Sequence, residues 1–169
     1  MGFFDKIVKS IFGSKNDRDL KEMMPLVTAI NAEYDKLKNI SNDELRAKTS
    51  EFRSRIKDHL TDIDNQIADI RSKAEAEEEL QAKDNYYKKI EEIRKERDKE
   101  IEVVLEQILP EAFAVVKEAA YRFANNEYVE STATELDREM AVKYPNITIQ
   151  DGKTRYANQW LAAGVPVKW

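Results

Sequence analysis

The sequence contains no cysteine, which excludes a disulfide framework and any thiolate metal site. It contains a single histidine, His59, so a His-rich metal centre is excluded too. Glycine is scarce, and none lies between Gly13 and Gly152. A stretch that long without glycine, rich in Ala, Glu, Lys, Leu and Arg, reads as long helices. No apolar run approaches the ~20 residues that cross a bilayer. The apolar start is interrupted by Lys6 and Lys9 and has no cleavage region, so it does not read as a secretory signal. A cytoplasmic location is the expectation. The basic stripe that nucleic acid requires is also missing.

Charge, by contrast, is abundant: 36% of the residues are Asp, Glu, Lys or Arg, for a net charge of −5. It is unevenly spread. Residues 57–107 carry 10 basic and 16 acidic side chains, and the remainder carries 18 and 17. The acidity belongs to one segment.

Apolar periodicity divides the chain further. Phe3, Phe4, Ile7, Val8, Ile11 and Phe12 share one face of a short helix over 2–12, which Gly13-Ser14 ends. Such a face docks on a membrane surface or a partner, or folds back on the core. The next helix starts near Asn16 and Asp17. Its stripe is Leu20, Met23, Val27, Ile30, Tyr34 and Leu37, and Pro25 should kink or divide it. Ser41 and Glu44 form a capping box. The helix it opens carries Leu45, Phe52, Ile56, Leu60, Ile63, Ile67, Ile70 and Ala74, with coiled-coil steps from Ile56 onward. A second seam runs Tyr86, Ile90, Ile93, Arg97, Ile101, Val104, Ile108. Glu79/Lys83, Asp84/Lys88 and Glu91/Lys95 are spaced to pair along the solvated face.

The two seams predict an antiparallel coiled-coil hairpin over 57–107, turning near Asp84-Asn85 or slightly earlier. No Gly or Pro marks the turn, so one unbroken helix pairing with another chain stays open. So thin a pair should be the least stable part. Pro110 can open a helix whose face is Ala112, Phe113, Val116, Ala119, Ala120 and Phe123, the most core-like in the chain. Thr132-Ala133-Thr134-Glu135 reads as a second capping box, with its helix ending before Pro145. Asp151-Gly152 between Ile147-Thr148-Ile149 and Thr154-Arg155-Tyr156 signals a β-hairpin, with Ile149 facing Thr154 and Ile147 facing Tyr156. The apolar tail from Trp160 to Trp169 suits a cut inside a larger protein. The fold class is therefore mainly α, a helical segment with a long antiparallel coiled-coil hairpin and a small C-terminal β-hairpin.

Chemistry is sparse. Gly152-Lys153-Thr154 has the end of a phosphate-binding loop, but the first glycine of that motif would fall at Ile147. Acidic pairs such as Glu91-Glu92 sit on a solvated helix rather than in a cleft. His59 has no second ligand type beside it. No catalytic, cofactor-binding or metal residue is expected, and these readings alone end at a helical binding segment or adaptor.

Three stretches add a resemblance. Gly13-Ser14-Lys15-Asn16-Asp17-Arg18, followed by Ile30-Asn31-Ala32, looks like the opening of the SecA family of preprotein-translocating ATPases. Residues 41–53, beginning Ser41-Asn42-Asp43-Glu44-Leu45-Arg46, are similar to that family's next helix. Residues 108–119, Ile108-Leu109-Pro110-Glu111-Ala112-Phe113 and onward, are the most specific of the three. The resemblance divides the chain into an amphipathic helix at 1–14, a SecA-like region at 15–56 and 108–169, and an inserted hairpin at 57–107. It implies a parent protein that uses ATP and Mg to drive preproteins through the SecYEG channel, peripherally attached to the inner membrane. No ATP-site residue can be carried over, so this chain alone is expected to hold no cofactor. The family's N-terminal helix meets acidic lipids and the channel and contributes to homodimer contacts. The matching residues are Phe3, Phe4, Lys6, Ile7, Val8, Lys9, Ile11, Phe12, Lys15 and Arg18. The other reading is a coiled-coil adaptor unrelated to export.

Overall fold

The computed structural model describes the backbone of residues 15–168 and the side chains of residues 17–168. The helix expected over 2–12 lies outside the described residues. In chain order the elements are α1 (Lys15–Leu37), α2 (Asn42–Ala76), α3 (Leu80–Asn125), β1 (Tyr128–Thr132), α4 (Glu135–Lys143), β2 (Ile147–Gln150), β3 (Lys153–Ala157), β4 (Gln159–Ala162) and β5 (Val165–Lys168). The chain is mainly helical, with small antiparallel sheets at its C-terminal end. It divides into two compact units, Met1–Ile40 with Pro110–Trp169, and Ser41–Leu109.

The Ser41–Leu109 unit is a helical hairpin. Ser41 caps α2: the Glu44 backbone N–H donates to its hydroxyl at 3.1 Å, and its own N–H donates to the Glu44 carboxylate at 2.7 Å. The bond from the Ser41 backbone holds the Glu44 carboxyl below its usual range. The chain leaves α2 at Glu77, which is extended, and resumes helix at Leu80. The turn therefore lies at residues 77–79, ahead of Asp84-Asn85. The Glu77 carboxylate makes this turn without glycine, accepting the backbone N–H groups of Glu78 and Glu79 at 3.1 Å each.

Leu60, Ile63, Ile67, Ile70 and Ala74 of α2 are buried, as are Ile90, Val104 and Ile108 of α3. Toward the turn, Ile67, Ile70 and Ile90 cluster, with Tyr86 and Ile93 packed on them. Arg97, the irregular member of the second seam, donates through Nε to Asp64 at 2.5 Å and through a terminal nitrogen at 3.3 Å. His59 meets Glu100 at 2.8 Å. Residue numbers fall on one helix as they rise on the other, so the pair is antiparallel. On the solvated side Asp84 pairs with Lys88 at 2.7 Å. Glu91 takes Arg94 rather than Lys95, because the longer forked side chain lies one turn on at the same face. Lys83 reaches the Glu77 carbonyl at 3.5 Å instead of the Glu79 carboxylate, since the broken helix leaves that carbonyl open.

Neither internal proline divides its helix. Pro25 lies within α1, and Pro110 lies inside α3 instead of opening a helix. Each removes one helical bond, from the carbonyls of Lys21 and Glu106, and both of those residues are exposed, so water can serve the carbonyl.

The first unit contains a three-stranded antiparallel sheet in the order β1-β3-β2. Ile147 faces Tyr156 and Ile149 faces Thr154, as the two-residue turn predicts. Asp151 (φ 50) and Gly152 (φ 74) both take left-handed backbone, which closes the turn with the twist of the strands. Strand β1 occupies the other edge of β3 and had no signal in the sequence reading. It also displaces the second capping box. Thr132 is held in β1, so Thr134 caps α4 with Asp137 as its partner. Asp137 is fully buried and fully engaged: it accepts from the Thr134 backbone at 2.7 Å, the Thr134 hydroxyl at 2.9 Å, and the Tyr156 hydroxyl. The apolar tail forms β4 and β5, a two-stranded sheet turning at Ala163-Gly164.

The Arg97–Asp64 pair sets an acid response. Its hydrogen bond holds the Asp64 carboxyl below the ordinary 3.8, against a smaller effect of burial. A carboxyl depressed in the folded state stabilises above its unfolded value and loses that contribution as pH falls through the folded one. Circular dichroism from about pH 5 to pH 2 should show helix loss in the parent chain. Asp64→Asn should be less stable at neutral pH and should lose less on acidification; equal acid sensitivity in both proteins would count against this role.

Candidate functional site

The described part of the chain presents surfaces rather than a cleft. Among the described residues no group of three or more His, Asp or Glu converges as a metal site. Gly152-Lys153-Thr154 forms no phosphate cradle: Gly152 closes a hairpin turn, Lys153 opens β3, and Thr154 is buried opposite Ile149. A phosphate loop would instead aim backbone N–H groups from a helix start. These residues do not fit ATP.

Of the docking residues expected from sequence, Phe3, Phe4, Lys6, Ile7, Val8, Lys9, Ile11 and Phe12 lie outside the described residues. Lys15 opens α1, and Arg18 is exposed on its first turns. Directly after Arg18 the α1 stripe departs from the expected core role. Leu37 is buried and Ile30 and Tyr34 are half-buried, but Leu20, Val27 and Met23, at 60% exposure, are open, as is Met24. The stripe behind Pro110 departs in the same way. Phe113 is 53% exposed and Val116 66%, and only Ala114 among the apolar residues of that stretch is buried. Helical periodicity identified both faces correctly, yet nothing described in the chain covers them.

A polar anchor holds α1 and the end of α3 together beneath these faces. Arg122 donates through Nε to Glu118 at 2.7 Å, and through a terminal nitrogen to the carbonyls of Leu37 at 3.1 Å and Ile40 at 2.8 Å. Leu37 ends α1 and Ile40 lies three residues beyond it, where helical partners run out. Glu118 is 3% exposed, and one of its oxygens has no hydrogen-bond partner. Lys117 donates to Asn31 at 2.7 Å and sits 4.2 Å from the Tyr34 ring centre. Burial, then the nearby Glu118 charge, pushes the Tyr34 hydroxyl above its ordinary value of 10.0. Phe123 meets Tyr156 edge to face at 6.5 Å, which ties α3 to the sheet. The contacts of Arg122 with Leu37 and Ile40 link positions more than eighty residues apart and leave no sequence signal, whereas its pairing with Glu118 has the i, i+4 spacing of a helical ion pair.

Comparison with known proteins gives this arrangement a context. Residues 8–162 match the family described as the SecA DEAD-like domain. The chain is 41% identical over 166 residues to the protein translocase subunit SecA of Parabacteroides distasonis, a match covering 98% of this chain and 15% of that protein. It is 36% identical over 169 residues to the protein of the same name from Christiangramia forsetii, covering 100% of this chain and 15% of the relative. The corresponding Cytophaga hutchinsonii protein is 39% identical over 165 residues, covering 96% and 15%. The chain thus spans about 15% of the length of these relatives, and the matches run through the hairpin. No solved structure matches it.

Arg122→Met should destabilise the fold by about 3 kcal/mol or more, because it leaves a buried carboxylate and two carbonyls without their donor. Glu118→Leu in the same chain should recover much of that loss, since no buried charge then remains. Urea unfolding of the single and double variants measures both; equal losses in the two would contradict the anchor.

Proposed function

The chain belongs to the SecA family, and on that premise we propose that it is the N-terminal segment of a motor that couples ATP hydrolysis to preprotein export through the SecYEG channel. In this reading its work is attachment. Residues 2–12 with Lys15 and Arg18 dock on an anionic membrane surface and the channel, peripherally at the inner membrane, and contribute to dimer contacts. The α1 and α3 stripes pack onto the motor domain. ATP and Mg bind elsewhere in the parent protein. Residues 57–107 form an appended coiled-coil arm.

The observation that carries the reading is the uncovered apolar face of α3. Phe113 and Val116 lie in the stretch that most resembles the family, and they are exposed in a chain spanning about 15% of its relatives' length. Large apolar groups at i and i+3 on a well-formed helix are a packing face. Burying such side chains is worth ~1.5–3 kcal/mol each.

Val116→Asp separates this from a freestanding adaptor. In the 169-residue chain the substitution should shift stability by less than about 0.5 kcal/mol, as at any exposed site. In the full-length parent it should cost at least ~2 kcal/mol, because it buries an unpaired charge. Thermal unfolding of both proteins decides, and a small effect in both removes the packing role.

Membrane docking is tested by cosedimentation with vesicles containing anionic lipid. Binding should be weak and should fall with salt, since each basic residue near such a surface adds about 1 kcal/mol. Phe4→Asp with Ile11→Asp should abolish it; pelleting unchanged by that pair of substitutions argues against residues 2–12 as the docking face.

A further inference from the structure

The first half of α1 carries an apolar surface close to a chain end. Leu20, Met23 and Met24 are each more than half exposed, and no described residue covers them. Their i, i+3 and i+4 spacing puts them on one helix face. Immediately before α1 stands a segment of matching kind. Phe3, Phe4, Ile7, Val8, Ile11 and Phe12 have the spacing of a single helical face, and only Gly13-Ser14 separates them from Lys15. The lengths agree: a helix over 2–12 runs about 16 Å, and α1 from Lys15 to Met24 about 15 Å. Two residues are enough to join antiparallel helices. Counting equal steps outward from Gly13-Ser14 sets Ile7 opposite Leu20, Phe4 opposite Met23 and Phe3 opposite Met24. Each large apolar residue in that part of α1 thereby meets another.

We propose that, away from a membrane, residues 2–12 fold back antiparallel along α1 and cover Leu20, Met23 and Met24, and that docking on an anionic lipid surface lifts them away. The proposal rests on the membrane role given to residues 2–12 above. The two uses exclude each other because they need the same apolar side chains, while Lys6 and Lys9 lie on the opposite face in both. A two-residue tether favours this occupant over a free partner, since short linkers give effective concentrations of millimolar order. The seat ends at Met24. Val27 lies beyond the reach of the segment, so the rest of the stripe stays open for the motor domain. Held back in this way, residues 2–12 bind lipid less tightly in proportion to the fraction released.

The absence of cysteine makes the fold-back directly measurable. In the 169-residue chain, Phe4→Cys with Met23→Cys should close an intrachain disulfide on mild oxidation, at a rate independent of protein concentration. Phe4→Cys with Lys21→Cys is the control. Lys21 is exposed on the same stretch of α1 but about 160° around the helix from Met23, so this pair should close several-fold more slowly. Leu20→Ser with Met23→Ser removes the seat without touching residues 2–12. Both positions are exposed, so circular dichroism should not change, and cosedimentation with anionic vesicles should rise several-fold at limiting lipid. Equal disulfide rates at Met23 and Lys21 overturn the fold-back, as does no disulfide at either. Vesicle binding unchanged by the serine pair overturns the competition. Lowered binding does so too, and assigns the α1 stripe itself to the lipid contact. If no chain pellets with vesicles, the docking role of residues 2–12 fails, and the disulfide rates alone decide the fold-back.

Discussion

The guanidinium of Arg122 is where the first unit is held together. Two of its contacts complete the carbonyls of Leu37 and Ile40 at the end of α1, and a third neutralises Glu118 inside the helix pair. A helix end in a protein interior needs such donors, and a buried carboxylate needs such a cation. One side chain meets both needs because guanidinium presents several donors in a fixed plane. Around it, α1 and α3 are joined by few apolar contacts. Leu37, Ala114 and Ile147 are the buried apolar residues of this unit among those described, against nine in the hairpin.

Most of the apolar burial among the described residues lies in the thin helical pair. The reason is the regularity of its seam. Alternating steps of three and four bring Leu60, Ile63, Ile67, Ile70 and Ala74 to one line, and a facing helix of the same kind covers that line within the chain. The stripes of α1 and α3 have equally good periodicity and no such cover. In this SecA-family chain the seam of the hairpin is covered within the chain, whereas among the described residues the stripes of α1 and α3 are exposed.

Much of the local structure was legible because it depends on short-range chemistry. Ser41 and Glu44 cap a helix wherever they meet in that spacing, and Asp151-Gly152 sets its hairpin register through backbone sign alone. What was not legible depended on distant partners. Strand β1 is only five residues, Tyr128–Thr132, and is secured by pairing with β3. Its presence moved the α4 cap from Thr132 to Thr134. The Glu77 turn replaced glycine with a side chain folding onto its own backbone. Periodicity named the apolar faces of α1 and α3 but carries no information about what lies opposite. The residues at 3–12 that the sequence marks for docking lie outside the described residues.

The Asp64–Arg97 pair also works as a ruler. Apolar seams built on a heptad can slide by one repeat and still look packed, because every isoleucine finds another apolar residue. Here a slide of one heptad in either direction would set Arg97 opposite Lys57 or Arg71 instead of Asp64. Both alternatives place two cations together at the edge of the seam. Of these three alignments, the observed one alone pairs opposite signs there. The length of the arm and the position of its tip are thereby fixed by charge, although the energy of closing it comes from the isoleucines.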